Sequence, residues 1–178
     1  DTDRSRGLGD VYKRQGYDDE SSWARGQAWA VYGYTMCYRF TKQQTYLKAA
    51  YKIAEFIMSH CPSEKDFIPY WDYNAPGIPD ESRDVSAATV TASALYELSM
   101  YDETNRTGYV DRADRILENL TNRYRASVGK DCGFLLLHST GSKTHGSEVD
   151  VPIVYADYYY LEALLRKAKL EKEGTALL

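Results

Sequence analysis

Between Trp23 and Trp29 the chain reads Trp-Ala-Arg-Gly-Gln-Ala-Trp. On a helix, Arg25 and Trp29 lie one turn apart on one face, and Trp23 and Gln27 share another. Indole rings stack on the apolar face of a pyranose, and a guanidinium matches a carboxylate bidentately. The group therefore suits an anionic sugar. Gly26 and the neighbouring alanines let a second backbone or a ligand come close. The same residues also describe two core tryptophans with a snorkelling arginine, and composition alone favours that plainer reading.

Other polar residues have simpler expected uses. Asp18, Asp19 and Glu20 read as charges complementing a helix N-terminus, with Ser21 or Ser22 as its cap. Asp72, between Trp71 and Tyr73, reads as a loop-ordering acceptor, and Arg83-Asp84 as a helix-start pair. Asp150 and Asp157 flank an apolar segment and are expected to satisfy backbone or tyrosine groups. His138, His145 and Cys132 lack the short paired spacing of zinc ligands, so no metal site is expected. No glycine loop suited to a phosphate is present, and no cofactor is expected.

Five helices are expected to position these groups: Ser21–Phe40, Thr45–His60, Ser86–Tyr101, Thr107–Tyr124 and Val154–Lys169. Long connections separate them, with a short strand expected at Phe134–Leu137. The second and fourth helices look like copies: Tyr46, Ala50, Ile53 and Ile57 are answered by Tyr109, Ala113, Ile116 and Leu120. The offset, 63 residues from Tyr46 to Tyr109, exceeds the common solenoid repeats of ~34–47 residues. Helices rich in small or aromatic residues alternate with amphipathic ones. An inner ring inside an outer, solvated ring produces that alternation, with the long loops at one end. Tyr158, Tyr159 and Tyr160 read as inner-ring packing.

The 178 residues carry 22 Lys plus Arg against 26 Asp plus Glu. That balance argues against a nucleic-acid partner, and no apolar run reaches the ~18 residues of a membrane span. Three cysteines, an odd number, argue against a disulfide framework. The 17 tyrosines suit a wet cleft as well as a core. Asp1 to Gln15 has no apolar periodicity. Its end, Asp-Val-Tyr-Lys-Arg-Gln, is also one translation of a transposon end used in library preparation. Residues 1–15 therefore read as a non-native or disordered leader, and residues 16–178 as part of one domain.

The run WARGQAW, preceded by QGYDDES, resembles the signature of the unsaturated glucuronyl hydrolases, glycoside hydrolase family 88. PYWDYNAP at 69–76, RDVSAA at 83–88, LLHSTGS at 136–142 and DVPIVYADYYYLEAL at 150–164 resemble later segments in the same order. The resemblance implies an all-α, six-hairpin α/α toroid. It also implies removal of a 4,5-unsaturated uronic acid from oligosaccharides left by polysaccharide lyases. In that chemistry an aspartic acid protonates the enol-ether double bond, water adds, and the resulting hemiketal opens. The catalytic acid must stay neutral beside an anionic sugar, which needs a raised pKa.

By the same resemblance, Gln15, Trp23, Arg25 and Trp29 match positions lining the unsaturated-uronate subsite. Ser139 and Ser142 match the start of a Ser-x-x-Ser-x-Lys pattern that contacts a sulfate in some members. Thr144 stands at the lysine position here, with Lys143 beside it, and a polar turn around Gly141 explains the serines equally well. Arg14 stands where some members place a sulfate-contacting arginine. The family's two catalytic aspartates lie upstream of the QGY segment. No catalytic residue is therefore assigned within the chain, which is expected to be inactive alone and to self-associate through unpaired apolar faces. The alternatives are an unsaturated rhamnogalacturonyl hydrolase and a non-catalytic helical-repeat carbohydrate-binding module. The rhamnogalacturonan enzymes typically read Gly-Asn-Gly-Trp where this chain has Gly-Gln-Ala-Trp. The expected partner is an unsaturated uronate oligosaccharide; localisation, cytoplasmic or periplasmic, is not fixed by the sequence.

Overall fold

The computed structural model describes residues 16–61 and 66–178, so Gln15 and Arg14 lie outside the described residues. Five α-helices order the described residues: α1 (Ala24–Thr41), α2 (Gln44–His60), α3 (Val85–Leu98), α4 (Arg106–Arg123) and α5 (Val154–Glu173). Each expected helix is present, with ends moved by up to four residues. The expected strand at Phe134–Leu137 is reduced to a single bridge, Leu136 opposite Arg125. Only two backbone bonds hold it, Ala126 N to Leu135 O and Leu137 N to Tyr124 O, both 2.9 Å.

The helix start at Ser21 is also corrected. α1 begins at Ala24, behind a run of bends and turns, and no side chain caps it. Ala24 N donates to Trp71 O and Tyr73 N to Ser22 O, both at 3.0 Å, so the chain enters α1 paired with the 67–84 loop. Ser21 Oγ is drawn away to Asp72 Oδ2 at 2.7 Å. Asp18, Asp19 and Glu20 consequently stand outside the first turn, where the dipole interaction has faded.

α3 is the centre of the packing. It lies against α1 on one side and α5 on another, and α4 closes over it; α2 packs on α1. Every residue of α3 is buried. Its alanines and serines, Ser86 to Ala88 and Ala92 to Ala94, let three helices approach its backbone closely. The outer helices α2 and α4 each bury one stripe: Leu47, Ala50, Ala54 and Ile57 on α2, and Tyr109, Ala113, Ile116 and Leu120 on α4. Each large aliphatic of these stripes contributes about 1.5–3 kcal/mol by leaving water. The alternation of inner and outer helices seen in the sequence is thus real in the packing.

α1, α3 and α5 start at one end and finish at the other, where a buried ionic cluster ties them. Glu97 of α3 meets Arg166 of α5 at 2.8 Å and Arg39 of α1 at 3.4 Å. Arg166 is fully buried, bonds Glu162 through Nε at 3.3 Å and donates to Ala176 O at 3.0 Å. Ser93 and Tyr32 hold the other contacts of Glu162. One acidic side chain therefore fixes the spacing of three helices.

α5 faces α3 with Ala156, Tyr160 and Ala163. Val154, Tyr158, Leu161 and Leu165 recur on the opposite side at helical spacing, and all four are exposed. Tyr158 therefore departs from the expected inward packing, since three consecutive helical residues cannot share a face. Tyr160 is buried and bonds Thr121 at 2.7 Å.

Two outcomes are expected. Glu97→Ala leaves Arg166 buried without its main counter-charge and lowers unfolding stability by about 3–5 kcal/mol, whereas Glu173→Ala, at an exposed pair, changes it by about 0.5 kcal/mol or less. Urea titration compares the two. Sedimentation velocity is expected to find the chain self-associating, with Leu161→Lys plus Leu165→Lys returning it to a monomer; a monodisperse wild-type monomer contradicts this.

Candidate functional site

The start of α1 meets the start of α3, the start of α5 and two long loops at one end of the helical stack. Arg25 stands at their junction with 4% of its surface exposed. Its Nη1 meets Asp84 Oδ2 at 3.2 Å, Ser86 Oγ at 3.2 Å and Thr140 O at 2.7 Å. Its Nη2 donates to Gly141 O at 2.6 Å, a bond only partly buried. The guanidinium lies between two rings, 4.9 Å from the Trp23 centroid and 5.4 Å from that of Tyr155. Cation–π attraction at such desolvated sites reaches about 2 kcal/mol.

Trp29 stands one turn along α1, half-buried, and packs edge-on against Tyr159 at 5.0 Å and Tyr32 at 6.5 Å. Tyr155 is 6.4 Å from Trp29 and so links the two halves of the cluster. Trp23 owes its position to Gly26: a Cβ there would lie 2.7 Å from Trp23 Cε3. Backbone permissiveness is not the issue; the glycine makes room for the ring.

Asp84 has no exposed surface. Its Oδ1 accepts from Ser86 N at 3.1 Å, Ser86 Oγ at 2.6 Å and Ala87 N at 3.4 Å, capping α3. It also takes a long bond of 3.5 Å from Thr140 N. Burial pushes its carboxyl above the usual carboxylate range, opposed by the Arg25 charge and these donors. Burial likewise raises the Tyr155 hydroxyl, again against the pull of Arg25.

The structure thus brings Trp23, Arg25 and Trp29 into one cluster, and Ser139 directly precedes Thr140 and Gly141, whose carbonyls meet Arg25. Ser139 is buried, and its Oγ has no hydrogen-bond partner among the described residues. Its backbone exchanges two bonds of 2.9 Å with Val151, which fixes the loop. The Ser142 Oγ lies 2.9 Å from His145 Nδ1. Lys143 is engaged by Glu81 at 2.6 Å and Ser82 at 3.3 Å. That hydrogen bond holds the Glu81 carboxyl below its usual range.

Of the remaining acids, Asp72 orders its loop as expected, accepting from Tyr17 N, Ser21 Oγ and Asn74 N. Asp157 accepts from Leu135 N and Leu136 N at 2.9 and 3.0 Å. Asp150 differs from expectation: it pairs on the surface with His138 at 2.7 Å. Arg83 turns away from Asp84 to Ile68 O and Asp66, with its guanidinium over Tyr70.

Sequence reading missed Tyr155 and the partnership of Asp84 with Arg25. Tyr155 carried a signal, its i+4 spacing from Tyr159 on an inner helix. The Arg25–Asp84 pair spans 59 residues and had none.

Gly26→Ala is expected to displace Trp23 and shift the tryptophan emission maximum, while the inner-helix core stays folded by circular dichroism. An unchanged emission spectrum contradicts the glycine's assigned role.

No family model matches the chain. Its sequence is 49% identical over 157 residues to an unsaturated glucuronyl hydrolase of Formosa agariphila, covering 88% of this chain and 39% of that protein. It is 36% identical to an unsaturated chondroitin disaccharide hydrolase of Streptococcus pyogenes, over 86% of this chain and 39% of that protein. The fold matches the crystal structure of an unsaturated glucuronyl hydrolase specific for heparin with a TM-score of 0.85 and 46% identity, over 89% of this chain and 43% of that one. The enzyme of Bacillus sp. GL1 matches at a TM-score of 0.82 and 31% identity, over 92% of this chain and 42% of that one. The chain spans about two fifths of the length of the relatives it matches. Over that length its helices are those of the six-hairpin α/α toroid. In sequence and in fold, the chain matches the unsaturated glucuronyl hydrolases, a glycoside hydrolase family.

Proposed function

We propose that this chain supplies the uronate-binding wall of a hydrolase that removes the 4,5-unsaturated uronic acid from lyase-generated oligosaccharides. The observation that carries the reading is the Arg25 guanidinium held between Trp23 and Tyr155 beside Trp29. A planar, half-chair-like uronate ring offers an apolar face to an indole and a carboxylate to a guanidinium. The protein's own acceptors occupy Nη1 and one side of Nη2. The sugar carboxylate would approach along the Nε and outer Nη2 edge, where the bond to Gly141 is only partly buried. Gln15 belongs to the same proposed subsite.

Ser139 and Ser142 extend the proposed subsite toward the neighbouring sugar. The buried, unpartnered Oγ of Ser139 supports its inclusion. Lys143, held by Glu81, is not proposed as a sulfate ligand. The relatives' names span chondroitin and heparin products, and one neighbour of Streptococcus agalactiae is solved in complex with dGlcA-GalNAc6S. Unsaturated disaccharides from such uronate polymers are the proposed ligand class. The protonating aspartate is assigned outside this chain, so binding, not turnover, is the activity proposed for it.

Two measurements test this. The chain is expected to bind an unsaturated uronate disaccharide, read as quenching of tryptophan emission, without consuming the ultraviolet absorbance of the enol ether. Arg25→Lys keeps the charge and loses the fork. It is expected to weaken binding by about tenfold to over a hundredfold, the equivalent of ~1.5–3 kcal/mol for a charge-assisted bond. Wild-type affinity in the lysine variant would remove Arg25 from the carboxylate site.

A further inference from the structure

The Arg25 guanidinium carbon lies over two aromatic rings, 4.9 Å from the Trp23 centroid and 5.4 Å from that of Tyr155, and cation–π attraction is less directional than a hydrogen bond. In-plane direction is set by the acceptors at its edge: Asp84 Oδ2, Ser86 Oγ, Thr140 O and Gly141 O. Asp84 is the charged member of that set, and it governs the others. Its Oδ1 holds the Ser86 hydroxyl at 2.6 Å and also accepts from Thr140 N, the residue whose carbonyl receives Nη1. Its own backbone N–H donates to Pro69 O at 2.9 Å. Through one side chain and one amide, Asp84 joins α1, the 67–84 loop, the start of α3 and the loop carrying Ser139.

We infer that Asp84 is a positioning residue for carboxylate recognition. Resting on the uronate reading above, it aims Arg25 and fixes the Thr140–Gly141 backbone against it. The separation of its two oxygens explains how one residue does both. Oδ2 neutralises the guanidinium, and Oδ1 caps the helix. Removing the charge while keeping the cap separates aim from stability. Asp84→Asn does this if its amide oxygen takes the Oδ1 place, since its NH2 then faces Nη1 as donor against donor. Asp84 itself is sealed beneath Arg25 and is not assigned to touch the sugar.

The test uses two readouts on the whole chain. Hydrogen exchange of the Arg25 Nη1 protons, followed by 15N-resolved NMR, is expected to accelerate at least about tenfold in Asp84→Asn, since Nη1 donates to Asp84 and a lost charge-assisted bond is worth about that factor or more. The variant must still melt cooperatively; Asp84→Ser, a shorter cap without the charge, serves if the asparagine form does not fold. Titration with an unsaturated uronate disaccharide and its carboxyl-reduced counterpart gives the second readout. The variant is expected to lose about tenfold in affinity for the acid and to bind the neutral sugar as wild type does. Unchanged exchange at Arg25, or equal weakening of both sugars, overturns the positioning role. A wild-type chain that binds neither sugar counts against the uronate reading instead, and exchange at Arg25 then decides whether Asp84 aims it.

Discussion

A buried guanidinium must be paired, and the architecture at the loop end follows from how Arg25 is paired. An isolated charge of this kind in a low-dielectric interior is unfavourable by several kcal/mol. Asp84 offsets that, but only because the N-terminus of α3 and the backbone of the Ser139 loop saturate its remaining oxygen. Two carbonyls of the same loop then complete the arginine's partners. The pair therefore holds α1, α3 and a distant loop in one arrangement. A non-polar replacement could fill the volume, but it would not impose a direction.

The rest of the stack allows this by keeping α3 thin. Small side chains along a fully buried helix let α1 and α5 come close on its two sides. That brings Trp29 and Tyr32 of α1 within ring contact of Tyr159 of α5. At the far end Glu97 repeats the device, pairing with Arg39 and Arg166 across the same three helices. Glu97 thus ties all three inner helices at one end, Asp84 ties α1 to the start of α3 at the other, and the outer helices add apolar burial on one stripe. Fixed inner helices give the loops a rigid base, and the candidate sugar-binding groups sit where loops and helix starts meet.

The sequence made the helices and their two classes legible, because hydrophobic spacing and small-residue content are local properties. The α2 and α4 stripes and the small residues of α3 were read correctly for that reason. The start of α1 was not. Two serines after three acids looked like a cap, but the 67–84 loop competes for the same atoms and takes Ser21 and the first helical N–H. The Tyr158–Tyr160 run misled similarly: successive residues on α5 point to solvent, to the aromatic cluster and to the core. Arg83 and Asp84, adjacent in the chain, diverge to opposite partners.

By itself, the sequence determined that this is a helical chain with an arginine flanked by tryptophans at a helix start, and its motifs pointed to a family of sugar hydrolases. Tertiary structure alone decided which acid meets that arginine, that Tyr155 forms the second ring over it, and that Lys143 is taken up by Glu81. The physical reason is range. Helix periodicity is written over a few residues, whereas Arg25 meets Asp84 across 59 residues and Gly141 across 116. Only packing brings them into contact, and only burial makes those contacts strong enough to fix a direction.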